Sequence, residues 1–186
     1  MNRMLESCLD DANEERRQTA MLYIDLDGFK QIKDRRSHKV GDLFLCEAAT
    51  RISQCLRGND VAARIGEDEF TILLPECASE KEAIGLANRI LRSAREPVVI
   101  DGHRLSYSTS IGVSMFPQMA ASAELLVRSA DEAMYAAKMS GKDRVCLAPS
   151  GGGALLLAGE YEMPVLTFCS IGGMAPGVMA PQPYAC

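Results

Sequence analysis

An α+β fold, a mostly antiparallel central sheet covered by helices, is predicted by three features of the sequence. Apolar runs typical of strands recur at residues 21–25, 61–65, 70–74 and 106–115. Two of these runs are separated by little more than Gly66-Glu67, a spacing that suits a hairpin. Between the runs lie segments with apolar residues three and four apart, bounded by capping residues. The 186 residues, 47% of them hydrophobic, suffice for one core with appendages and not for two full domains.

Met1, Met4, Leu5, Cys8 and Ala12 share a helical face, so residues 1–17 should form an amphipathic N-terminal helix. The next strand runs into Asp25 and Asp27, which two-residue alternation puts on one face. Residues 28–36 read as a short helical segment. A stronger helix begins at Gly41-Asp42, turns Leu45, Ala48, Ala49, Ile52 and Leu56 inward, and stops at Gly58. In the hairpin over residues 61–74, a glycine-first pair suits a type II′ turn with positive φ at Gly66, and Asp68 and Glu69 crowd the reversal. Ser79 and Glu82 form a capping box for a helix carrying Ala83, Ile84, Ala87, Ile90 and Leu91, which ends before Pro97. Asp101-Gly102 supplies a type I′ turn between two short strands that lead on into the strand over residues 106–115. Ser122 caps a helix over residues 124–139, stopped at Gly141, and a last strand follows at residues 144–147. Residues 148–186 are Gly- and Pro-rich with only Glu160 and Glu162 charged, so an irregular or disordered tail is expected, with a strand-like stretch at 161–168.

A net charge of −5 argues against a partner that is a nucleic-acid polymer. The seven cysteines are odd in number and scattered, which indicates neither a zinc site nor a disulfide framework. Buried reduced thiols and a cytoplasmic setting are expected. No long apolar run or signal peptide stands in the sequence, although a membrane-anchored parent protein is compatible with it.

Carboxylates crowded at a tight reversal repel one another and call for a compensating cation. A strand-end Asp25 together with Asp68 or Glu69, with lysines nearby, is an arrangement that holds Mg²⁺ against nucleotide phosphates. The segments DLDGFKQIKDRRSHKVGD, RIGEDEF and ADEAMYAAKMSGKDRV, in that order, resemble the three motifs of the GGDEF domain of diguanylate cyclases. The resemblance covers residues 1–147, and the first two segments look most like GGDEF modules found in tandem with EAL phosphodiesterase domains. Asn2-Arg3 resembles the end of the family's leading motif, which implies a preceding segment, usually joined to a sensor.

The resemblance implies a ferredoxin-like, palm-type sheet whose signature lies on a β-hairpin. It implies condensation of two GTP into cyclic di-GMP and pyrophosphate by a homodimer with its sites facing. The Mg²⁺ (or Mn²⁺) ligands it implies are Asp25, Asp68 and the backbone carbonyl of Leu26, with Asp68 or Glu69 as proton acceptor and Asp27 as an orienting charge. Lys30, Lys138 and Lys142 would meet phosphates; Lys33, His38 and Asp42 would lie near the base, Asp42 being equally placed to cap its helix. Arg57, Asp60 and Arg89 match an R-x-x-D product-inhibition site, although the spacing alone fits a surface ion pair equally well.

Four positions depart from the family pattern. Glu67 replaces the second signature glycine, Lys33 a guanine-binding asparagine, Lys142 an arginine and Ser37 a glycine. Lys33 offers only donors where an amide offers a donor and an acceptor, and Glu67 adds negative charge where phosphates approach. Two functions therefore compete: a working cyclase, and a degenerate module that binds GTP or cyclic di-GMP and regulates an attached domain such as an EAL phosphodiesterase.

Overall fold

The structure is a computed structural model that describes residues 3–150. The expectations for Asn2 and for residues 151–186, including the stretch at 161–168, lie outside the described residues. In chain order the elements are α1 (Arg3–Glu14), β1 (Thr19–Asp27), α2 (Phe29–Arg35), α3 (His38–Gln54), β2 (Val61–Arg64), β3 (Glu69–Leu74), α4 (Glu80–Arg95), β4 (Val98–Ile100), β5 (His103–Leu105), β6 (Ser108–Phe116), α5 (Ala123–Met139) and β7 (Arg144–Leu147). Five strands form one sheet in the order β2-β3-β1-β6-β7, antiparallel except where β7 runs parallel to β6. This is the mostly antiparallel α+β sheet covered by helices that the sequence predicts.

All nine residues of β1 are buried, and their alternation divides the interior into two cores. Ala20, Leu22, Ile24 and Leu26 join Phe44, Ile52, Phe70, Ile72 and Ile90 on the side of α2, α3 and α4. Met21 and Tyr23 pack with Leu5, Leu9, Leu126, Val127 and Met134 on the side of α1 and α5. Asp25 and Asp27 continue that second face. Contact between α5 and the sheet is close at Gly112 of β6, where an added Cβ would stand 1.9 Å from the carbonyl oxygen of Ala130. Arg51 of α3 ties down the end of α4 by donating to the carbonyls of Ser93 (3.0 Å), Glu96 and Pro97 (3.3 Å).

Local signals were read correctly where a side chain makes the structure. Ser79 and Ser122 accept from backbone N–H groups at their helix starts, and the Asp101-Gly102 turn has φ of 50° and 75° as a type I′ turn needs. Gly141, with φ of 112°, follows α5.

Several expectations are corrected. The signature hairpin does not close on Gly66-Glu67: Ile65 N donates to Glu69 O (3.0 Å), which leaves a three-residue loop, and Gly66 is not among the positive-φ glycines. Arg64 holds this wider loop by donating to the carbonyls of Gly66 (3.0 Å) and Glu67 (3.1 Å). What Gly66 supplies is room, since a Cβ there would meet the Glu69 carboxylate at 2.7 Å. The third helix starts at His38, because the Ser37 hydroxyl accepts from Val40 N (3.2 Å), so Asp42 lies inside it and does not cap it. It ends at Gln54, tightened by bonds from Cys55 N to Ile52 O and from Leu56 N to Ser53 O, before Gly58 is reached. The first helix ends at Glu14 rather than near Arg17, and Arg16 turns left-handed with φ of 54°. β4 and β5 form a separate two-stranded sheet, and β6 starts only at Ser108. Among the described cysteines all are free, with Cys55 and Cys77 buried but Cys46 exposed. No helix among the described residues is long and apolar enough to cross a membrane.

Candidate functional site

The pairing of β1 with β3 sets Asp25 opposite Glu69. Asp68 precedes Glu69 in the loop, and its carbonyl accepts from Leu26 N (3.0 Å), which pins the loop to the end of β1. From the other side α5 brings Asp131 and Lys138, seven residues apart and so on one helical face. Lys138 Nζ donates to Asp25 Oδ2 at 2.6 Å, while Asp25 is only 4% exposed.

Burial pushes the Asp25 carboxyl above its usual range, a rise opposed by Lys138 and reinforced by Asp68 and Asp27. Glu69 is likewise raised by burial, then by Asp131, Asp25 and Asp68, with Lys138 opposing. Burial alone would lower the Lys138 amine, but its hydrogen bond and charge contact with Asp25, aided by Asp68 and Glu69, hold it above the ordinary lysine value. One ammonium thus serves three carboxylates, Asp25, Asp68 and Glu69. Such a donor set, hard, anionic and under-compensated, fits a divalent cation with oxygen ligands. As it stands, Asp25 is turned to Lys138, and among the described residues no three carboxylates converge as metal ligands.

Asp27 is engaged elsewhere. It accepts from the hydroxyls of Ser108 (2.9 Å) and Ser110 (3.0 Å) and from Asp143 N (3.3 Å), joining β1, β6 and the turn after α5. In that turn Gly141, Lys142 and Asp143 all have positive φ, so Lys142 stands outside the helix rather than one turn along it from Lys138.

Lys30, His38, Asp42 and Lys142 are exposed. Lys33 is not free: its ammonium pairs with the Glu67 carboxylate across the gap between α2 and the loop. The two departures from the family pattern therefore meet each other. The pair with Lys33 is the first cause of a lowered Glu67 carboxyl pKa. Sequence reasoning missed three further participants: Asp131, the loop clamp Arg64, and the Ser108/Ser110 pair. Asp131 and Lys138 share a helical spacing that could have revealed the first.

Arg57, Asp60 and Arg89 line one cavity of about 250 Å³ with Glu76, Glu82 and Leu86. Asp60 accepts from Arg57 N (2.8 Å), Arg89 donates to the Cys55 carbonyl (2.6 Å), and the Arg57 guanidinium pairs with Glu82.

The family model "Diguanylate cyclase, GGDEF domain" matches residues 1–144. Diguanylate cyclase TpbB of Pseudomonas aeruginosa is 44% identical over 135 residues, which cover 72% of this chain and 31% of TpbB. The bifunctional diguanylate cyclase/cyclic di-GMP phosphodiesterase MucR of the same organism is 37% identical over 142 residues, 76% of this chain and 21% of MucR. The chain thus spans a third or less of the length of either relative. The crystal structure of the TpbB GGDEF domain superposes with a TM-score of 0.76 at 42% identity, covering 78% of this chain and 91% of that one. The GGDEF domain of DgcB from Caulobacter crescentus, solved in complex with c-di-GMP, shares the fold with a TM-score of 0.73 at 22% identity, covering 78% of this chain and 86% of that one. With the buried carboxylates at the end of β1 and the half-buried Asp68 and Glu69 of the signature loop, these matches make the chain a member of the GGDEF diguanylate cyclase family.

Proposed function

We propose that this chain is a diguanylate cyclase that joins two GTP molecules into cyclic di-GMP with Mg²⁺ (or Mn²⁺), working as a homodimer. The observation that carries the reading is the cluster of Asp25, Asp68 and Glu69 around a single ammonium, Lys138. Asp25, Asp68 and the Leu26 carbonyl would hold the metal, which supplies charge neutralisation at the phosphates and a lowered pKa at the attacking hydroxyl. Lys138, Lys30 and Lys142 bind and orient the triphosphate. The 3′-oxygen of one GTP attacks the α-phosphorus of the other, pyrophosphate leaves, and the hydroxyl proton passes to a carboxylate. Glu69 suits that last task, because its raised pKa makes it a better base than an ordinary glutamate. Lys33, His38 and Asp42 stand on the base side.

The assay is conversion of GTP to cyclic di-GMP with Mg²⁺, using a chain fused to a dimeric coiled coil. Product is expected from the wild type and none from Asp25→Asn, which should also weaken Mg²⁺-dependent GTP binding by about tenfold or more. A second reading is favoured by one observation: Lys33, at the base-binding position, is already held by Glu67. On that reading the chain binds GTP or cyclic di-GMP without turnover and regulates an attached domain, such as an EAL phosphodiesterase. Nucleotide binding without product in the same assay would select it.

A further inference from the structure

We infer that Glu82 restrains Arg57 and thereby sets the affinity of the Arg57–Arg89 cavity for an anionic dinucleotide. The inference rests on reading that cavity as the R-x-x-D cyclic di-GMP site that the family resemblance implies for Arg57, Asp60 and Arg89. Glu82 is the third residue of α4, and its two oxygens have different work. Oε2 accepts from Ala78 N at 2.8 Å and, with Ser79 accepting from Glu82 N at 3.3 Å, caps the helix. Oε1 takes the Arg57 guanidinium. Capping needs an oxygen, which an amide also provides; the grip on Arg57 needs the charge. The bond from Ala78 N, then Arg57, holds the Glu82 carboxyl below its usual pKa, so it is fully ionised at neutral pH.

A phosphate entering the cavity must therefore draw Arg57 away from Glu82. The geometry permits this, because the Arg57 side chain is 69% exposed and that of Glu82 only 24%, so the arginine is the freer partner. Arg89 offers less competition, since the N–H it has committed goes to a neutral carbonyl, that of Cys55. Glu76, on the same wall, is paired with Arg17 at 2.8 Å and not with Arg57. It adds negative charge to the cavity without holding the arginine of interest, and so provides an internal control.

Calorimetric titration of cyclic di-GMP into the wild type, E82Q, E76Q and R57A tests the inference. E82Q keeps the capping oxygen and should bind about three- to tenfold tighter, the scale of an exposed ion pair released together with a like charge removed. E76Q should gain distinctly less. The combined E82Q/R57A variant should lose the gain, because the effect runs through Arg57. Equal affinity of E82Q and wild type, with R57A weakened, would show that Glu82 exerts no hold and overturn the inference while leaving the site standing. An equal gain from E76Q would reduce the effect to the net charge of the wall and overturn it as well. If neither the wild type nor E82Q binds while both melt alike, the site reading falls and the inference falls with it.

Discussion

Burial, then the charges of Asp131, Asp25 and Asp68, disfavour the ionised form of Glu69 and raise its pKa. Its raised pKa fixes a sign: the fold loses stability as pH rises through the raised value and recovers it below the ordinary glutamate range near about 4.3. Glu69→Gln should therefore raise the melting temperature at pH 7 by about 2–4 °C, the response of a domain of this size to roughly 1 kcal/mol. Melting curves at pH 4 should show the gain gone. Lys33 and Glu67 call for a paired change. Glu67→Gly alone leaves the lysine without its partner, whereas Lys33→Asn with Glu67→Gly provides an amide donor and acceptor beside a bare loop. Competition binding of GTP against ATP should show guanine preference rising by about tenfold or more in the double variant, the worth of one bidentate base contact. Asp25, Asp68 and Glu69 were legible in the sequence because acids at the end of an apolar strand are anomalous. Asp131 was not, since an acid on a helix that also carries Arg128 and Glu132 is ordinary. The meeting of Lys33 with Glu67 was hidden because each was judged against its own motif, and only the fold brings α2 to the loop.

Among the elements, two glycines show how position decides the sign of one substitution. Gly85 sits inside α4 with nothing within 4 Å of an added Cβ, so Gly85→Ala should stabilise by about 1 kcal/mol through helix propensity. Gly112→Ala should instead cost about 1–3 kcal/mol or more, because its Cβ would strike the backbone of α5. Chemical denaturation of both variants checks the contrast. The same contrast explains which boundaries the sequence revealed. Ser79, Ser122 and Asp101-Gly102 act through their own side chains or dihedrals, and they were read correctly. Gly41, Gly58 and Gly66 were read as punctuation by analogy, yet Gly41 is buried within α3, Gly58 lies beyond the helix end, and Gly66 makes space for Glu69. The setting of Gly41 is tertiary, against Phe29 and Lys33 of α2, and no window of a few residues contains it.

For the whole molecule, the proposed reaction would make one product from two substrates with one site per chain. Specific activity should consequently rise with protein concentration in the isolated chain and rise further on fusion to a dimeric coiled coil. Initial rates measured across a hundredfold range of concentration, alongside sedimentation, check this; a verified monomer with constant specific activity would contradict it. The sheet order has a consequence of another kind, in the chain's synthesis. The central strand β1 is made early, but both of its neighbours are made later, β3 first and β6 far downstream. At about 5–20 residues per second, a ribosome that has released Asp27 needs roughly 5–20 s to reach Phe116. For that interval the central strand, buried along its whole length in the finished fold, has at most one edge covered, so polypeptides stalled before residue 108 should be the ones that engage chaperones and aggregate.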